Sequence, residues 1–186
     1  MLVKSQSKRL PGKNKLLFHG KPLFVWNLEK CLSIFDTVYV SSDSFEILSI
    51  AEAYGAKLIH RGEELCGDVP DITVFQHAVN KMPINVDGIV AVHANNPTIS
   101  RNLIYAVKQC MDIGANEVMT CYPMTKDADY KKQANPVNGS IRAMTVERLM
   151  NYPDPYHPNP DILLLDTSLE IETPADLKEA LRQHKK

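Results

Sequence analysis

The first twenty-two residues hold six basic side chains, Lys4, Lys8, Arg9, Lys13, Lys15 and Lys21, and no acidic one. The whole chain of 186 residues carries a formal charge of −1, so the excess is local. Ser5, Gln6, Ser7, Pro11, Gly12, Asn14 and Gly20 lie between the charges. Such a loop can turn its backbone N–H groups toward an anion while cationic side chains approach from the side, which suits a polyphosphate. A solvated basic tail has the same composition. Leu10-Pro11-Gly12 is ordered-loop chemistry, however, and a helix-like apolar run follows at residues 22 to 34, pinning the loop between elements. It is not a P-loop, because Asn14 follows Gly12-Lys13 and no Gly stands five positions before Gly12. No G-x-G-x-x-G occurs in the chain either.

Glu170-Ile171-Glu172 offers two carboxylates that an extended chain would turn to one face. Taken alone, alternating Glu on a strand is how a solvent face reads. Ser41-Ser42-Asp43, Arg61 and His93-Ala94-Asn95-Asn96 are further polar groups at the ends of apolar runs. The six histidines lack zinc-like spacing and the four cysteines form no C-x-x-C pair. No structural metal is expected, and Cys31, Cys66, Cys110 and Cys121 read as reduced thiols of a cytoplasmic protein.

Ser7-Lys8-Arg9-Leu10-Pro11-Gly12-Lys13-Asn14 followed by Gly20-Lys21-Pro22-Leu23 resembles the signature loop of the acylneuraminate cytidylyltransferases, the CMP-sialic acid synthetases and their legionaminic- and pseudaminic-type relatives. Val40-Ser41-Ser42-Asp43 is similar to the family's V-S-T-D. Arg61, Glu64, Leu65 and Asp68 are similar to its R-P-x-E-L-x-x-D, with Gly62 in place of Pro. Residues 169–177 resemble its closing D-x-D-T-P-E-D-L, with Glu at both metal positions. Lys4 stands where relatives carry Arg. The Arg-Pro-Asn-Gly motif and the dimer-forming insertion of relatives are not found, and relatives have several more residues before the Lys4 position.

The resemblance implies transfer of CMP from CTP to an acidic sugar, with release of pyrophosphate and with Mg²⁺ as cofactor. Lys13, Arg9 and Lys21 would act on the triphosphate. Lys4, Ser5, Ser7, Lys8, Asn14, Ser42, Asp43 and Arg61 would bind the nucleotide. His93, Asn95 and Asn96 would face the acceptor, and Glu170 and Glu172 would hold the metal. A homodimer is the family's usual association. A domain of the same descent that binds nucleotide or a partner without catalysis is compatible with these residues, as is a nucleotidyltransferase with another sugar acceptor.

The elements that must position these groups alternate. Strand-like runs at residues 1–3, 37–40, 57–60, 88–92 and 117–122 are separated by helix-like runs at 22–34, 45–54, 72–81 and 101–113. This predicts an α/β fold with a mostly parallel sheet, and the resemblance makes it Rossmann-like, three-layered and of the nucleotide-diphospho-sugar transferase type. Ligands of such sheets bind beyond the carboxyl ends of the strands, where the polar clusters fall. From Pro123 to Pro160 the pattern is irregular, and Asn138-Gly139 reads as a hairpin turn. Asp71 and Ser100 read as helix caps, 162–165 and 169–173 as strands, and 175–184 as a last helix after Thr173-Pro174.

One domain over 1–186, with a clipped first strand, accounts for the length. Apolar residues at 44% and charged residues at 23% are ordinary for a globular chain. The balanced charge gives no case for nucleic acid, and no apolar run is long enough to span a membrane. The start lacks a signal peptide's apolar stretch.

Overall fold

A computed structural model of the chain describes residues 1–83, 85–123 and 137–184. The basic loop ends in a 3-10 turn, Lys13–Lys15, entered through Gly12 at φ 65°. A two-stranded antiparallel ribbon follows, β1 (Leu17–Phe18) and β2 (Lys21–Pro22). The chain then enters α1 (Leu23–Leu32) with Pro22 as N-cap, as a residue with fixed φ and no N–H allows. Leu23, Phe24, Leu28 and Cys31 give α1 its buried face.

β3 (Tyr39–Ser42) and β4 (Lys57–His60) are parallel, and α2 (Phe45–Ala53) crosses between them. The Ser44 hydroxyl caps α2 by accepting from the Ile47 amide. Residues 1–3 run parallel to β3 on its other side: Val3 N donates to Ser41 O and Ser41 N to Met1 O, both at 2.9 Å. α3 (Asp71–Lys81), β5 (Gly88–Val92), α4 (Arg101–Asp112) and β6 (Glu117–Cys121) follow. β7 (Val137–Thr145), α5 (Val146–Met150), β8 (Ile162–Leu165) and α6 (Pro174–Gln183) complete the described chain. The larger sheet has the order β5-β7-β6-β8; β7 is antiparallel to both neighbours, and β6 and β8 are parallel.

Three local expectations are corrected. Asn138-Gly139 makes no hairpin turn but lies inside β7, where Gly139 sits at φ 61° and the β6–β7 register shifts between Met119 and Cys121. A bulge and a turn need the same left-handed residue, so the dipeptide cannot tell them apart. Residues 169–173 form no strand; Leu169 N donates to Thr98 Oγ1 and Ile171 N to Asn95 O instead. Asp71 is the first residue of α3 rather than its cap, which is Pro70. Ser100 does cap α4, accepting from Asn102 N. Part of the irregular stretch, 124–136, lies outside the described residues.

The main core joins α1, β3, α2, β5 and α4 through residues such as Phe24, Leu28, Val40, Ile47, Val92 and Ile104, all at 1% exposure or less. A second cluster, Leu10, Phe18, Leu23, Ile171 and Ala180, packs the basic loop and the 170–172 segment against α1 and α6. A third lies under α3 and α5, and beside it Glu117 is buried. Its carboxylate accepts from Arg142, Arg148 and the Tyr152 hydroxyl, tying β6 to β7, α5 and the loop beyond. All four cysteines are free thiols. Among the described residues no helix is long and apolar enough to cross a membrane.

Candidate active site

Beyond the ends of residues 1–3, β4 and β5 lies a cleft of about 220 Å³, closed on one side by the 170–172 segment. Glu170 and Glu172 reach it because Ile171 between them is fully buried in the second core cluster, which turns its neighbours the other way. The end of that segment is fixed by a capping box. Thr173 Oγ1 accepts from Asp176 N at 3.3 Å, and Asp176 Oδ2 accepts from the amides of Thr173 (2.7 Å) and Glu172 (3.0 Å).

Asn95, just past β5, joins the two carboxylates. Its Nδ2 donates to Glu170 Oε1 at 2.9 Å and to Glu172 Oε1 at 2.6 Å. Tyr122, just past β6, donates its hydroxyl to Glu170 Oε2 at 3.3 Å. The basic loop supplies the cations. Lys13 Nζ lies 2.5 Å from Glu172 Oε1, and Arg9 Nη2 lies 2.6 Å from Glu172 Oε2. Burial raises the Glu172 carboxyl's pKa, but the hydrogen bond and charge of Lys13, helped by Arg9 and Asn95, outweigh it and hold the group below its usual value.

The opposite wall carries Lys4, Arg61 and His93. Arg61 is 4% exposed and its Nε has no hydrogen-bond partner, so a positive group faces the cleft with donor capacity to spare. His93 Nε2 lies 3.6 Å from Asp71 Oδ2, and the His93 contact outweighs burial in holding the Asp71 carboxyl below its usual value. Asn14 ties the loop to the residue that follows the 1–3 segment by donating from Nδ2 to Lys4 O at 2.8 Å; its Oδ1 is buried without a partner among the described residues. Ser5 donates through both N and Oγ to Asp43. Cys66 also lines the cleft, its thiol pushed up by burial.

The structure therefore brings together Lys4, Lys13, Asn14, Arg61, His93, Asn95, Glu170 and Glu172, with Arg9 on Glu172 and the Ser5–Asp43 pair bracing the loop. It does not bring Lys21, which pairs with Glu29 at 2.5 Å and lies 4.4 Å over the Trp26 ring. Lys8 points outward to Asp68, and both side chains are strongly exposed. Ser7 is half-buried and outside the cleft lining. Ser42 is buried, its Oγ accepting from Ser44 N. Asn96 is buried too, donating to Ser168 Oγ at 3.3 Å, and so does not face an acceptor. Tyr122 and Asp71 were legible only by position: one follows a strand end, and the other opens a helix beside β5.

Comparison with solved structures first fixes the class of architecture. The fold matches CMP:2-keto-3-deoxy-manno-octonic acid synthetase complexed with CTP, with TM-score 0.77 at 16% identity over 98% of this chain and 95% of that one. It also matches 4-diphosphocytidyl-2C-methyl-D-erythritol synthase from Anaerococcus prevotii, with TM-score 0.69 at 12% identity over 98% and 95%. A family model described as Cytidylyltransferase matches residues 2–160, and the chain belongs to that family. It is 34% identical over 105 residues to a pseudaminic acid cytidylyltransferase of Campylobacter jejuni, covering 53% of this chain and 45% of that protein. It is 26% identical to CMP-N,N'-diacetyllegionaminic acid synthase of Legionella pneumophila, covering 94% and 90%. The chain thus spans about half the length of the Campylobacter relative and nearly all of the Legionella one.

Proposed function

We propose that the protein transfers CMP from CTP to an acidic sugar of the pseudaminic, legionaminic or neuraminic type. The reading is supported by one arrangement above all: in a cytidylyltransferase-family chain, Lys13 within the cleft and Arg9 beside it converge on Glu172, next to Glu170. A Rossmann-like three-layer domain spanning the chain is the architecture that goes with it.

In this reading an acceptor hydroxyl oxygen attacks the α-phosphorus of CTP. The bond from that phosphorus to the bridging oxygen breaks, pyrophosphate leaves with the electron pair, and the hydroxyl proton passes to water. No side chain forms a covalent bond. Lys13 and Arg9 hold the β- and γ-phosphates, whose charge grows as they leave. Arg61 and Lys4, on the opposite wall, hold further anionic oxygens, and Asn14 keeps the loop's backbone in place. His93, braced by Asp71, and Asn95 line the acceptor side.

The donor set fits Mg²⁺. Two carboxylates converge on one amide nitrogen of Asn95, and hard oxygens in that number, completed by phosphates and water, are what Mg²⁺ takes. Mg²⁺ held by Glu170 and Glu172 would neutralise charge at the α-phosphate.

Calorimetric titration of CTP, ATP, GTP and UTP in the presence of Mg²⁺ tests the proposal. CTP alone should bind tightly. Lys13→Ala should weaken it by about tenfold or more, the worth of one charged hydrogen bond. Pyrophosphate release should then appear with an acidic sugar. If the intact chain binds no nucleotide, the reading is rejected.

A further inference from the structure

We infer that Glu172 makes the cleft selective for nucleotide that arrives with a divalent cation, by serving as the counter-ion of the phosphate-binding side chains until the triphosphate takes its place and the divalent cation takes theirs. The inference rests on the nucleotidyl-transfer reading and adds a role that this reading does not require. A metal-ligating carboxylate is ordinarily hydrogen-bonded by its surroundings, but that role does not call for the phosphate-binding cations themselves as partners. Here both oxygens of Glu172 are engaged by the two cations assigned to the triphosphate, Lys13 at 2.5 Å and Arg9 at 2.6 Å, with Asn95 adding a third donor at 2.6 Å. Glu170 differs. Among the described residues its partners are Asn95 and the Tyr122 hydroxyl, both neutral.

The Lys13 side chain is 7% exposed and that of Glu172 is 21% exposed, so neither can trade its partner for water at small cost. Metal-free triphosphate must draw Lys13 and Arg9 off Glu172. The carboxylate is then left half-buried, stripped of cations and beside a polyanion. A divalent cation that accompanies the triphosphate removes this penalty. The carboxylate passes to the cation as Lys13 and Arg9 pass to the phosphates, and every charge keeps a partner. Nucleotide and cation therefore favour each other's binding, by one and the same factor in both directions.

The experiment measures CTP binding by calorimetry without divalent cation (EDTA present) and with saturating Mg²⁺, for the parent chain, Glu172→Gln and Glu170→Gln. In the parent, Mg²⁺ should tighten CTP by between about 5- and 150-fold, the usual span of a coupling between sites. Glu172→Gln should bind metal-free CTP more tightly than the parent, by about fivefold or more, and lose most of the Mg²⁺ effect. Glu170→Gln should lose the Mg²⁺ effect without that gain, because it restrains neither cation. If metal-free affinity is unchanged or lower in Glu172→Gln, or rises equally in both variants, the inference is overturned while the nucleotidyl-transfer reading stands. If the parent binds no CTP even with Mg²⁺, both fall together.

A second measurement does not depend on how Glu172→Gln folds. Mn²⁺ binding without nucleotide, read by electron paramagnetic resonance, should be tighter in Lys13→Met than in the parent, because one of the two cations that compete for the carboxylate is then gone. Equal or weaker Mn²⁺ binding in a folded Lys13→Met protein also overturns the inference.

Discussion

Arg61 carries a guanidinium at 4% exposure with its Nε unpartnered, an arrangement that costs stability and gains an anion site. Arg61→Met should therefore leave the thermal midpoint close to the parent's, or raise it, while CTP affinity falls by about tenfold or more. A large drop in the midpoint would show instead that Arg61 holds the fold together. Asp43 makes the complementary case. Burial raises its pKa, but the Ser5 hydrogen bonds and the nearby Arg61 charge outweigh this and hold the group below its usual value. A carboxylate with a depressed folded pKa adds stability above its unfolded pKa of about 3.9 and loses it as pH falls through the folded value. Urea unfolding at pH 6 and near pH 3 should thus differ less in Asp43→Asn than in the parent. Residues of one motif end in different surroundings. Lys13, Asn95 and the glutamates carried a pattern that spacing and resemblance could show. Lys21 and Asn96 sit in the same motifs, yet Lys21 is taken by Glu29 and Trp26 and Asn96 by Ser168, partners that no motif announces.

The capping box of α6 is the element on which the carboxylate pair depends. Thr173→Ala removes the acceptor for the Asp176 amide and should cost about 1 kcal/mol, the usual worth of such a cap. Because Asp176 also accepts from the Glu172 amide, the same variant should weaken Mg²⁺-dependent CTP binding more than metal-free binding. Equal weakening of both would mean that the cap does not position Glu172. Elements with strong periodicity, α1 to α4 and the strands between them, were legible because an apolar face or an apolar run is a local property. β7 was not. Its interior strand includes Asn138, Gly139, Ser140 and Arg142, and these are satisfied by Thr120, Asp166 and Glu117 from elsewhere in the chain. The 170–172 segment failed as a strand for a related reason. Its backbone bonds go to isolated groups, Thr98 Oγ1 and Asn95 O, rather than to a ladder.

At the scale of the molecule, the Glu117 knot joins β6, β7, α5 and the loop at Tyr152, far in sequence from the basic loop. Glu117→Ala leaves Arg142 and Arg148 without their shared carboxylate, and loss of one member of a buried charged group costs about 3–5 kcal/mol. Denaturant unfolding should register a loss of that size. A loss under 1 kcal/mol would mean that water replaces the carboxylate readily. The order of the larger sheet could not be read from the sequence at all. Inserting β7 between β5 and β6 is a long-range choice, made where buried side chains from three strands meet. The alternation of strands and helices bounded the fold class, and the position of strand ends bounded the site. Which side chains touch within that site was decided by contacts as distant as Lys13 to Glu172, 159 residues apart.

Cys66, on the rim of the cleft, gives the molecule an intrinsic clock for occupancy. Its sulfur donates weakly to Gly62 O at 3.5 Å, whereas Cys31 and Cys121 are buried. Its raised thiol pKa makes alkylation slow at neutral pH and faster as the solution turns alkaline, since the thiolate is the reactive form. An iodoacetamide time course at alkaline pH, with the modified peptide followed by mass spectrometry, would therefore report a filled cleft as a delay at one sulfur atom.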